Sequence, residues 1–188
     1  MYQQTGENAG RAAAAIASCS LAVDMKKDSA RYQIGKTQFN SPASDFGITP
    51  YNNGFIFASS RERGFLVRGI NLRNNNLFYD LYFTEPDVTG LMKKPALVKG
   101  DVNTRFHDGP AVVSPDNTTM YFTRSNFING KLSADSKGIN KLKILSATNV
   151  NGAWTDLKVL PFNSEEYSCG HPAISEDGNT LVFASDMP

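Results

Sequence analysis

The chain is poor in the residues on which metal and nucleophile chemistry most often rests. It has two cysteines, two histidines and one tryptophan in 188 residues. Two histidines are too few for a typical histidine-based zinc site, and neither C-x-x-C nor H-E-x-x-H occurs. No G-x-S-x-G elbow is present to carry a nucleophilic serine. Cys19 and Cys169 lie far apart and fix no redox compartment. No apolar run reaches the roughly 18 residues of a membrane-spanning helix. Charge of either sign is also not in excess: 19 Lys and Arg against 18 Asp and Glu leave +1. The basic residues form no stripe, so nothing recruits nucleic acid or an anionic membrane.

What is present is a globular composition, 40% hydrophobic and 20% charged, enough for one ordinary domain. Residues 8–29 predict a helix, because Ala dominates and neither Pro nor Gly falls between Arg11 and Ala30. Ile16, Ser20 and Val23, with Ala13, Ala17, Leu21 and Met25 beside them, give an apolar side that must pack on something. This fits the last helix of a helical-repeat segment over residues 1–29. "IASC" (16–19) resembles a lipoprotein cleavage box, but Glu7 and a lone Arg upstream favour the helix.

From residue 30 the pattern becomes short strands punctuated by Asn, Gly, Asp and Pro. Strands are predicted at 31–39, 46–49, 54–60, 77–84, 96–99, 110–114, 119–125, 141–147, 154–160, 171–175 and 180–185. Residues 68–76 and 126–138 read as loops. Three segments align without a gap: "TPYNNGFIFAS" (49–59), "SPDNTTMYFTR" (114–124) and "SEDGNTLVFAS" (175–185), with Phe57, Phe122 and Phe183 in register. Each follows a related lead-in, "FNSPASDF", "VNTRFHDG" or "FNSEEYSCG". The turn residues tolerate positive φ and reverse the chain tightly. A unit of four strands, repeated at about 39–101, 102–161 and 162–188, is the plan of a β-propeller blade. The expected fold is mainly β: a partial propeller over residues 30–188, with two complete four-stranded blades and the start of a third, preceded by one α-helix. Residues 31–40 are expected to supply an outer strand closing the ring. Two blades and a half do not close a ring, so the reading is of a fragment that associates or aggregates when expressed alone.

The succession "FNSPASDFGITPYNNGFIFASSR", "LFYDLYFTE", "NTRFHDGPAVVSPDNTTMYFTRSNF" and "FNSEEYSCGHPAISEDGNTLVFASDMP" resembles the WD-like propeller region of OmpA-family, peptidoglycan-associated outer-membrane proteins of Gram-negative bacteria. The resemblance covers residues 8–188. It implies a tetratricopeptide-like segment before the propeller and a noncatalytic periplasmic scaffold associated with the outer membrane. Its partners would be cell-envelope proteins, including secretion-system components, with peptidoglycan bound by a domain outside this chain. It carries over no ligand residue.

Sharper chemistry is weak residue by residue. Cys169 and His171 share a strand face but lack an orienting third group. His171, Ser175 and Asp177 are triad types without an elbow. Asp116, Glu176 and Asp177 sit at hairpin turns outside any calcium-loop series, and the Asn117 glycosylation pattern lies in a turn. No catalytic residue, metal or cofactor is therefore expected. The arginines of "SSRERG" (59–64) read as a solvated loop that an acidic partner could meet. His107, Asp108, Ser168 and His171 fall where inner strands begin, and are the candidates for partner contact at a rim; the plainer alternative is a hydrogen-bond network joining adjacent blades. Two further readings stand beside the scaffold: the propeller of a serine peptidase or carbohydrate-active enzyme whose catalytic domain lies elsewhere, and a TolB-like periplasmic protein-binding propeller.

Overall fold

The computed structural model describes residues 9–62, 70–71 and 76–188. Two compact units divide at Thr37 and Gln38. The first contains helix α1, Ala9–Met25, followed by a 3-10 turn, Lys26–Arg31. Ile16, Leu21, Val23 and Met25 are exposed on it. No helix among the described residues is long and apolar enough to cross a membrane.

The second unit is built of antiparallel sheets. In the first sheet β1 (Asp45–Tyr51), β2 (Gly54–Ser59), β5 (Asp80–Thr84) and β6 (Ala96–Leu97) follow one another in chain order. Between β2 and β5 the chain inserts a small pair, β3 (Ile70–Asn71) and β4 (Asn76–Leu77). The second sheet repeats this plan with β7 (Asp108–Val113), β8 (Thr119–Ser125), β11 (Leu142–Val150) and β12 (Ala153–Val159). It too carries an inserted pair after its second strand, β9 (Phe127–Ile128) and β10 (Lys131–Leu132). A third hairpin, β13 (Cys169–Ile174) and β14 (Leu181–Ser185), begins the plan again.

The repeat extends to irregularities. Each of β1, β7 and β13 breaks register shortly after its first residue, and each break holds a residue with positive φ: Gly47 (63°), Gly109 (106°) and His171 (54°). Such bulges bend the strand and re-aim the side chains before it. At the other strand end the aligned residues Asn52, Asn117 and Gly178 all take positive φ, as the turn chemistry requires, although the first turn is a two-residue one between Tyr51 and Gly54 while the second and third close on Ser114 with Thr119 and Ser175 with Thr180.

Strand β7 lies beside β1, and β13 beside β7, so the leading strands stack and the sheets face one another. The first sheet contributes Tyr51, Ile56, Ala58 and Leu81 to the interface core, with Val98 and Val102 between the sheets. The second contributes Met120, Phe122, Leu145 and Trp154, the last at 1% exposure. Alternating residues on one face of each sheet meet here, which is what a period of two along a strand provides.

Four expectations are corrected. Residues 31–39 form no strand: after the 3-10 turn the chain is irregular to Ser44, with Tyr32 and Ile34 exposed, and Lys36 and Gln38 follow them at the alternating places, so the run offers no continuous apolar face to bury. Residues 126–138 are not merely a loop, because Asn129 and Gly130 adopt φ of 50° and 78° and turn β9 into β10. Residues 77–84 split, with Phe78 and Tyr79 between β4 and β5. The predicted loop 68–76 contains β3 and part of β4; residues 68–69 and 72–75 lie outside the described set, as do residue 8 of the predicted helix and Arg63.

Candidate functional site

The four sequence candidates lie at one end of the sheets, where leading strands begin. The structure assigns two of them the same task. Tyr79 donates its backbone N–H to His107 Nδ1 at 3.2 Å, and Leu142 donates its own to Ser168 Oγ at 3.2 Å. Tyr79 and Leu142 occupy matching places at the start of the third strand of consecutive sheets. His107 and Ser168 therefore tie each new repeat to the sheet before it.

An asparagine strengthens each joint. Leu81 N–H donates to Asn103 Oδ1 at 2.7 Å, and Asn103 Nδ2 donates to Leu81 O at 3.0 Å. In the next repeat Ile144 N–H donates to Asn163 Oδ1 at 2.9 Å, and Asn163 Nδ2 donates to the carbonyls of Ile144 and Leu160, each at 2.8 Å. A side-chain amide presents one acceptor and two donors, so it closes a ladder position that the sheet leaves open.

Asp108 is fully buried and salt-bridged to Arg124 Nε at 2.5 Å. Thr104 donates to it from both N–H and Oγ1. Burial pushes the Asp108 carboxyl up, against Arg124 and Thr104, which favour its charged form. As placed here it offers nothing to an outside partner. Asp45 occupies the same position in the first repeat and pairs with Arg61 at 2.8 Å, with Ser41 donating in Thr104's place. Burial raises Asp45, but hydrogen bonds from Ser59, Arg61 and Ser41 outweigh it and hold the carboxyl below its ordinary value. Arg61 is thus no solvated loop cation: its side chain is 15% exposed and its guanidinium lies 5.0 Å and 5.1 Å from the Phe57 and Tyr82 rings. In the third repeat the pair is replaced by Cys169 and Ser185, 3.6 Å apart. Both cysteines are free thiols, Cys19 exposed and Cys169 buried.

His171 stands apart. It is exposed at the bulge of β13, and its N–H donates to Thr123 Oγ1 at 2.8 Å. The structure does not bring the four candidates together into one catalytic arrangement.

What gathers around His107 instead is a surface of rings. Phe46 meets Tyr79 edge-on at 4.9 Å, and Tyr79 meets His107 at 4.9 Å. His107 and Phe106 both contact Phe78, at 4.7 Å and 5.4 Å, and Phe106 reaches Phe127 at 5.0 Å. Arg105 lies over this last pair, 5.4 Å from the Phe106 ring and 5.2 Å from that of Phe127. Burial lowers the His107 pKa from its ordinary 6.5, so near neutrality its ring is an uncharged member of the surface.

No family model, curated protein or solved structure matches the chain.

At the opposite strand ends the second and third hairpin turns flank a cleft of about 340 Å³, lined by Ser114, Asp116, Tyr121, Ile174, Asp177 and Asn179 among others. Its carboxylates are engaged within their own turns: Ser114 and Thr118 donate to Asp116, and Ser175 and Asn179 to Asp177. Those bonds, led by the serine hydroxyls, lower both pKa values. Among the described residues no group of three or more His, Cys, Asp or Glu is placed to hold a metal.

Sequence reasoning missed Phe78, Arg105, Phe106 and Phe127 as neighbours. The available signal was the dense aromatic content of "LFYDLYF", "TRFH" and "NFI", three stretches that precede or follow strands at the same end.

Proposed function

We propose that the chain is a noncatalytic binding and scaffold module, its sheets serving as blades of a β-propeller in an envelope-associated protein of the OmpA type. The observation that carries the reading is the repeated joint: Asn103 and Asn163 clamp equivalent backbone positions of successive sheets. A stack built by one recurring junction suits a rigid platform whose strand ends and loops meet partners. Within that reading, the repeated geometry lies between sheets and the chemical variety lies at their ends. The periplasmic, outer-membrane setting and the envelope partners come from the sequence resemblance.

Cell fractionation with in situ cross-linking tests it. The expected result is recovery with the outer membrane or periplasm, cross-linked to envelope proteins. Recovery in the cytosol would overturn the envelope assignment, and peptidase or glycosidase turnover by the purified protein would overturn the noncatalytic one.

A further inference from the structure

Fully buried rings such as Phe57, Phe122 and Trp154 show that this fold can cover aromatic side chains. The rings around Arg105 are treated differently. Phe78, Tyr79, Phe106, His107 and Phe127 are half-buried, and Phe46 is exposed. They come from four separate segments of the chain and form one continuous surface through ring contacts. Partly exposed aromatic groups of this kind are enriched where proteins bind one another, because a stiff ring covers much area with little loss of rotamer freedom.

Arg105 gives the surface a sign. It is exposed, two rings hold its guanidinium, and no carboxylate lies within ion-pair distance among the described residues. Contrast Arg61 and Arg124, whose guanidiniums also lie over rings but are each matched by an aspartate. A guanidinium held in place presents a planar fork that suits one carboxylate with two parallel hydrogen bonds. Among the described residues it is the one cation lying over these rings, in a chain of net charge +1, whereas polyanions such as nucleic acid are bound through many cations.

We propose that the ring surface around Arg105 docks an acidic peptide segment of a partner protein. The guanidinium takes one Asp or Glu carboxylate, and a neighbouring proline or aromatic side chain of the peptide lies on the Phe106, Phe127 and Phe78 rings. This deepens the binding-module reading and rests on it.

The test is selection of a random dodecapeptide display library on the whole chain, followed by titration of the enriched peptides as synthetic probes. Enriched sequences should carry Asp or Glu beside proline or an aromatic residue. Their affinity should fall about tenfold or more in Arg105→Glu and stay unchanged in Lys158→Ala on the distant strand β12. Replacing the peptide's acid with Lys should restore binding to Arg105→Glu, an outcome that misfolding of the variant cannot produce. Peptides without an acidic bias, or binding indifferent to Arg105→Glu, would overturn the proposal. Loss of binding in Asp116→Asn with Asp177→Asn instead would move the site to the hairpin end, overturning this inference while the binding-module reading stands. Failure to enrich any peptide would overturn the inference, and fractionation would then decide the wider reading separately. Arg105-dependent binding to phosphatidylglycerol vesicles with no peptide binding would replace the peptide by a membrane and equally overturn it.

Discussion

A single asparagine side chain does at each joint what a strand residue does within a sheet. Asn163 satisfies both backbone groups of Ile144 and the carbonyl of Leu160. Asn163→Ala leaves the buried Ile144 N–H without its acceptor, while the Ile144 and Leu160 carbonyls keep the backbone N–H donors of Leu160 and Asn163, and should destabilise the protein by about 1–3 kcal/mol in urea unfolding. His107 adds a pH dependence of definite sign. Its folded pKa lies below the ordinary 6.5 because burial disfavours the imidazolium. The unfolded chain therefore binds the proton first as pH falls, so this contribution is complete above 6.5 and is lost as pH drops from there toward the folded pKa. Urea midpoints measured on both sides of that value should fall on acidification, and the fall should be smaller in His107→Asn.

At the level of strands and turns, the bulges decide how closely neighbouring sheets approach. Gly109 sits at φ 106°, and a Cβ there would come within 2.9 Å of Ala58 Cβ and Leu81 Cδ2. Gly109→Ala should cost about 2–4 kcal/mol, from backbone strain together with overpacking, read as a lower melting temperature. Gly152→Ala is the control: it also carries positive φ, 82°, but nothing lies within 4 Å of the added methyl, so the difference between the two isolates the contact. The strands were legible because hydroxyl, turn former and Phe recur at fixed spacing in the three hairpins. The inserted pairs were not, since two-residue strands carry no alternation to detect; the Asn129-Gly130 turn was their one local sign. Residues 31–39 misled for a related reason: the apolar alternation that begins at Tyr32 and Ile34 stops at Lys36, too short to hold a strand. The candidate surface was less visible still. His107 was found from its position in the repeat, but the backbone partners of Asn103 and Asn163 lie 22 and 19 residues away, and no local pattern names them.

For the unit from Gln38 onward as a whole, the contact between the first two sheets is the main store of apolar burial. Trp154, the lone tryptophan, stands in it at 5.4 Å from Tyr51. Its fluorescence should be blue-shifted in the native state, and on denaturation should change together with the far-UV β signal, as expected of a single cooperative transition. Ile56, 1% exposed in the same core, should cost about 2–5 kcal/mol when replaced by Ala, moving both signals to the same lower midpoint. Separate midpoints would mean that the sheets unfold one at a time.

The recurring asparagine clamp also bears on how such a molecule changes over evolutionary time. Each junction needs only an amide on the arriving segment and a strand's main chain on the preceding one, and main chain is common to every sequence. A duplicated repeat would arrive already equipped for its neighbour, so the number of sheets can change by recombination of whole units while side chains at the strand ends diverge independently toward new partners.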